Sequence, residues 1–72
     1  MKNLTVKQLL NICKENRYIL ARYPDGFQVG INCKIAKIAQ KNQNYNPTKE
    51  TRFVSYLPCS FNEYLNNKAP YV

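Results

Sequence analysis

Lys34, Lys37 and Lys41 are the residues whose type and spacing point most directly to chemistry, with Ile35 and Ile38 set among them. Each ammonium group can sit beside a phosphate, and every phosphate neutralised this way releases condensed counterions. On a helix, steps of three and four residues put the three lysines on one stripe; on a bulged strand they can share the solvent face. The same spacing also describes a solvated charged face. Arg17-Tyr18, Arg22-Tyr23 and Arg52-Phe53, with Tyr56 nearby, set guanidinium groups beside aromatic rings. Single-strand binders use that combination, since bases stack on rings while cations follow the backbone. Neighbours on a strand face opposite ways, so Tyr18 and Arg22 share one face if Tyr23 faces the core. Strand tyrosines equally serve as half-buried core. The candidate contact set is Lys34, Lys37, Lys41, Arg22 and Arg52 for phosphates, with Tyr18 and Tyr56 for stacking.

Catalytic groups are scarce by comparison. Eleven Lys and Arg face four Asp and Glu in 72 residues, a formal net charge of +7, and there is no His. The chain thus lacks the commonest general base and the commonest metal ligand. Asp25 falls in a turn, Glu63 in a helix cap, and Glu15 and Glu50 among lysines and arginines, leaving few acids to converge on a paired-carboxylate or metal site. Cys13, Cys33 and Cys59 are widely spaced and form no C-x-x-C pair, so zinc-knuckle and dithiol redox spacings are missing, and no thiol has a histidine to activate it. They read as reduced, buried, small hydrophobes. Gly26 and Gly30 fit no phosphate-binding glycine motif. The expectation is a binding module with no enzymatic activity, cofactor, metal or small-molecule substrate.

The elements that must position these residues begin with Thr5-Val6-Lys7-Gln8, a capping box with Leu4 and Leu9 at staple positions. Val6, Leu9, Leu10 and Cys13 recur at helical spacing, predicting a helix from Val6 to about Asn16, with continuation through Arg22 as the alternative. Tyr18–Tyr23, then Pro24-Asp25-Gly26, then Phe27–Ile31 reads as a hairpin. Pro24 presets φ, Gly26 can adopt the left-handed conformation, and Tyr23 opposite Phe27 gathers Ile19, Ala21, Tyr23, Phe27, Val29 and Ile31 on one face. The alternation continues through Cys33 and Ile35, so the hairpin is taken over about 18–35 with a bulge near Ala36-Lys37. A helical reading of 32–41 fits Ile31, Ile35, Ile38 and Ala39 as well. Gln40 to Lys49 reads as a loop, 51–57 as a strand stopped by Pro58, and Ser60-Phe61-Asn62-Glu63 as a second capping box opening a helix over about 61–67. The expected fold is a single α+β domain over 1–72: an N-terminal helix on a small antiparallel sheet, with a short C-terminal helix.

No apolar leader opens the chain and no stretch approaches the roughly 18 apolar residues of a membrane span, so the expected compartment is the cytoplasm, without a membrane partner. In size, basicity and Asn-, Lys-, Ile- and Tyr-rich composition the chain resembles the small accessory proteins of phages and mobile elements of low-GC Gram-positive bacteria. That class includes anti-defence inhibitors and the small partners of polymerases or primases in staphylococcal cassette elements. The resemblance implies a non-catalytic accessory protein that holds single-stranded DNA or RNA, or docks as a small subunit on a replication enzyme. The alternative is a protein-binding inhibitor that covers an acidic surface of a host nuclease or defence complex. Neither Tyr23-Pro24-Asp25-Gly26 nor Arg52-Phe53-Val54-Ser55-Tyr56 matches a known binding site position by position, so the resemblance carries over no functional residue.

Overall fold

The computed structural model describes residues 2–42 and 46–68. Its first helix, α1 (Val6–Glu15), starts where the capping box requires. The Thr5 hydroxyl accepts from the Gln8 amide at 3.2 Å, and the Gln8 side chain accepts from the Thr5 amide at 2.8 Å. Two further amides of the first turn, left without partners inside any helix, donate to a distant loop: Val6 N to Lys49 O at 2.8 Å and Lys7 N to Pro47 O at 3.1 Å. Asn16 ends the helix in extended conformation and donates its side-chain amide to Ile12 O.

β1 (Tyr18–Arg22) and β2 (Gln28–Asn32) form the expected hairpin, with Ile19 opposite Ile31 and Ala21 opposite Val29. Tyr23 N donates to Phe27 O at 2.8 Å, and Gly26 takes φ +91° in the turn, where only glycine is unstrained. β3 (Ser55–Pro58) pairs antiparallel with the other side of β1, giving the order β2-β1-β3. The architecture is α+β, as expected, with three local corrections.

The strand does not run on to Ile35. α2 occupies Cys33–Asn42, because the Asn32 side chain accepts from the Lys34 and Ile35 amides at 3.1 and 3.4 Å and so caps a helix. The expected loop over 40–49 consequently starts later, and its residues 43–45 lie outside the described part. The expected strand 51–57 is displaced to 55–58, since residues 50–53 pair with the N-terminal segment instead: Leu4 N donates to Phe53 O and Thr51 N to Leu4 O, both at 2.7 Å. Pro58 does not stop β3 but closes it, on an outer strand where a missing amide is tolerated.

α1 and α2 cover one face of the sheet. Leu9 and Cys13 from α1, Ile19 from β1 and Cys33 from α2 form the core cluster, with Ile12 and Ile31 packed against it. Cys13 and Cys33, both 2% exposed, belong to opposite helices and meet inside it. α3 (Phe61–Asn67), opened by the Ser60/Glu63 capping box, packs against β2 and β1 on the opposite face. Gly30 lets it approach: a Cβ built there would lie 2.5 Å from Tyr64 O and 3.1 Å from Tyr64 Cα. Tyr64 and Leu20 are buried beneath this helix, so both faces of the small sheet carry a layer. No described helix is long and apolar enough to cross a membrane.

Candidate functional site

The α1–α2 pairing decides where the cations go. The two helices run antiparallel: Cys13, near the end of α1, meets Cys33 at the start of α2, while Lys7 and Lys41 share the far end of the groove between them. The groove continues from Lys7, Lys41 and Pro47 past Leu10 and Asn11 to Lys14 and Lys37, then to Arg17 and Lys34 beside Tyr18 and Asn32. Lys14 and Lys37 line both halves, each about 660 Å³, within the range of ligand clefts. Six of the chain's eleven cationic side chains line this groove, and all six are exposed.

Its two walls are rails of like charge. Lys7 and Lys14 stand seven residues apart on α1, as do Lys34 and Lys41 on α2, so each rail spans about 10 Å of helix axis. Each half takes cations from both sides: Lys7 and Lys14 with Lys37 and Lys41 in one, Lys14 and Arg17 with Lys34 and Lys37 in the other. Among the described residues, Glu15 is the one carboxylate in the lining. Opposed ammonium groups raise the free energy of the empty groove, and an anion between them lowers it. Leu10, Pro47 and the lysine stems give the far half an apolar floor, leaving the charged heads at the rim.

Of the residues singled out from the sequence, the groove collects Lys34, Lys37 and Lys41. It does not collect Arg22, Arg52 or Tyr56. Arg22 is half-buried on the α3 side of the sheet, beside Gln28; with the Gln28 amide turned oxygen-first, that oxygen accepts from Arg22 Nη2 at 2.6 Å and Nε at 3.2 Å. Arg52 is exposed in the segment before β3, and Tyr56 lies on β3 opposite Ala21. Tyr18 borders the groove, but its ring is engaged by α3, stacked on Tyr64 at 5.1 Å and tilted against Phe61 at 5.4 Å. The face expected to leave Tyr18 and Arg22 open is the one α3 covers. Lys7, Lys14 and Arg17 complete the groove and were not among the sequence candidates. The spacing of seven between Lys7 and Lys14 on one helix is the signal that could have flagged them.

No known protein family, curated protein or solved structure matches this chain.

The thiols beneath the groove are not poised for attack. Burial pushes the Cys33 thiol up to about 12, helped by its hydrogen bond with Cys13 and the nearby Cys13 charge, while Lys37 pulls weakly the other way. Burial also raises Cys59, reinforced by Glu63 and Cys33. Since the thiolate is the nucleophile, both thiols are slowed near neutral pH, and half-buried Cys59 stays the more accessible of the two. Among the described residues, no group of three or more His, Cys, Asp or Glu is placed to hold a metal ion.

Proposed function

We propose that the protein is a non-catalytic binder of polyanions that holds single-stranded nucleic acid along the α1–α2 groove. The observation that carries this reading is the convergence of Lys7, Lys14, Arg17, Lys34, Lys37 and Lys41 on one channel with a single acid among its described lining residues. The length of the rails fits a short stretch of backbone. About 10 Å corresponds to roughly three phosphates of one strand at B-form spacing. Among the described residues the groove is lined by cations rather than by free aromatic rings, which favours contacts to backbone charge. Size and composition support an accessory role in the cytoplasm, as a small subunit beside a replication enzyme of a phage or mobile element. There the groove would extend the larger enzyme's basic track.

A fluorescence-anisotropy titration with labelled single-stranded oligonucleotides over a salt series tests this. A single-strand contact contributes a slope of about −0.7 in log K against log salt. Three to six contacts therefore give an expected slope between roughly −2 and −4. Absence of binding at high micromolar protein in low salt would refute the reading. In that event the rival, an inhibitor covering an acidic surface of a host nuclease or defence complex, gains support if the chain co-purifies stoichiometrically with one host protein.

A further inference from the structure

Ile35 and Ile38, on the outward side of α2, are 61% and 53% exposed. Neither lines the basic groove, and a phosphate backbone offers nothing apolar to cover them. At about 100° per residue the two lie roughly 60° apart on the helix surface, with exposed Ala39 beside Ile35. Lys34, Lys37 and Lys41 form a stripe on one flank of this ridge only, while the other flank returns through Ala39 and Ala36 to buried Cys33. An apolar ridge with cations along one side is complementary to an apolar stripe with acids along one side.

We infer that the outer face of α2 docks an acidic amphipathic helix of a partner protein. Its apolar stripe lies over Ile35 and Ile38, and its carboxylates run along one flank to meet Lys34, Lys37 and Lys41. This is the helix-against-helix mode of recognition, with apolar contacts supplying affinity and the one-sided charge supplying orientation. A second copy of this chain fits poorly, because it brings a charge of +7 against +7. A bilayer fits poorly because α2 offers only two large exposed apolar side chains to insert, Ile35 and Ile38. The docking does not depend on nucleic-acid binding in the groove.

The test uses the full chain and a synthetic helical peptide of about 18 residues, long enough to hold helix in water, with leucines on one stripe and glutamates along one flank. A peptide of identical composition in scrambled order serves as control. In an NMR titration the amides of Ile35, Ile38 and Ala39 are expected to shift, with affinity at least tenfold above the scrambled peptide. The double variant Ile35→Gln/Ile38→Gln, at two exposed sites with fold checked by circular dichroism, is expected to weaken peptide binding at least tenfold. It is also expected to leave the oligonucleotide salt slope unchanged, so the two readings fail separately. Lys34→Glu is expected to narrow the preference for the glutamate-flanked peptide over one whose flank carries lysines. Equal affinity for both peptide orders would reduce the effect to charge alone and overturn the inference. Isoleucine-dependent binding confined to phosphatidylglycerol vesicles, or a dimer that the double variant converts to monomer, would overturn it as well.

Discussion

Replacing Gly30 with Ala adds one methyl group where α3 crosses β2. The new Cβ would stand 2.5 Å from Tyr64 O, 3.0 Å from Tyr64 Cδ1 and 3.1 Å from Tyr64 Cα. Ordinary carbon contacts lie near 3.5 Å or beyond, so α3 must retreat by about 1 Å. A retreat of that size forfeits between a quarter and a half of the dispersion contact along the interface. Overpacking of this kind costs about 1–3 kcal/mol, offset by about 0.5–1 kcal/mol because Ala loses less backbone freedom in a strand than Gly. The net destabilisation is about 0–2.5 kcal/mol, centred near 1, equivalent to a fall in Tm of up to roughly 20 °C and centred near 6 °C for a domain of this size. Thermal unfolding followed by circular dichroism measures it. The near-ultraviolet tyrosine signal should change too, because the Tyr18–Tyr64 stack at 5.1 Å loosens as the helix moves. Gly26→Ala is the control: nothing lies within 4 Å of its Cβ, and it suffers only from φ +91°. It should lower Tm while leaving the tyrosine signal intact. A Gly30→Ala variant with a higher Tm, or with both Tm and tyrosine signal unchanged, would show that α3 does not bear on Gly30, and the two-faced sheet would have to be abandoned.

Lys14→Gln/Lys37→Gln removes the two cations that line both halves of the groove, and the oligonucleotide salt slope should become shallower by about 1.4, two single-strand contacts; an unchanged slope would place the phosphates elsewhere. The same pair of changes at Arg22 and Arg52, which lie outside the groove, should shift it much less. The raised Cys33 thiol makes stability depend on alkaline pH. The folded state holds the proton more tightly than the unfolded chain, so its contribution is complete below about pH 9 and is lost as pH rises from 9 toward 12. Comparing Tm against pH for wild type and Cys33→Ala isolates it, and parallel curves above pH 9 would refute the assignment. A thiol reagent at neutral pH should label half-buried Cys59 first, and reach Cys13 and Cys33 only in denaturant.

Local signals were the readable ones. Thr5-Gln8 and Ser60-Glu63 announce their helices because both partners of each capping box lie within four residues. Tyr23-Pro24-Asp25-Gly26 likewise sets the hairpin register through its own turn geometry. The segment after Ile31 was ambiguous for a physical reason: Ile31, Cys33 and Ile35 alternate as in a strand, while Ile31, Ile35 and Ile38 also repeat as in a helix. Asn32 resolves it, as a cap whose oxygen has two amides to accept from. The position of β3 depended on a competition between residues far apart, with 50–53 taken up by Leu4 and Thr5. The side of the sheet that α3 covers rested on Gly30 having no side chain, a signal that speaks only once the strand's neighbour is known. The groove divides in the same way. Lys34, Lys37 and Lys41 stood out as one cluster, but Lys7, Lys14 and Arg17 join them only through the packing of Cys13 on Cys33. The engagement of the Tyr18 ring by Tyr64 has no local signal, since Tyr64 comes 46 positions later in the chain.

The loop carbonyls of Pro47 and Lys49 that receive the first amides of α1 tie the far end of the groove to the start of that helix. Pro47 forms part of the floor at the Lys7–Lys41 end, and its own oxygen clasps Lys7 by the backbone. Any ligand that displaced Pro47 would break the hydrogen bond that helps hold the opening turn of α1.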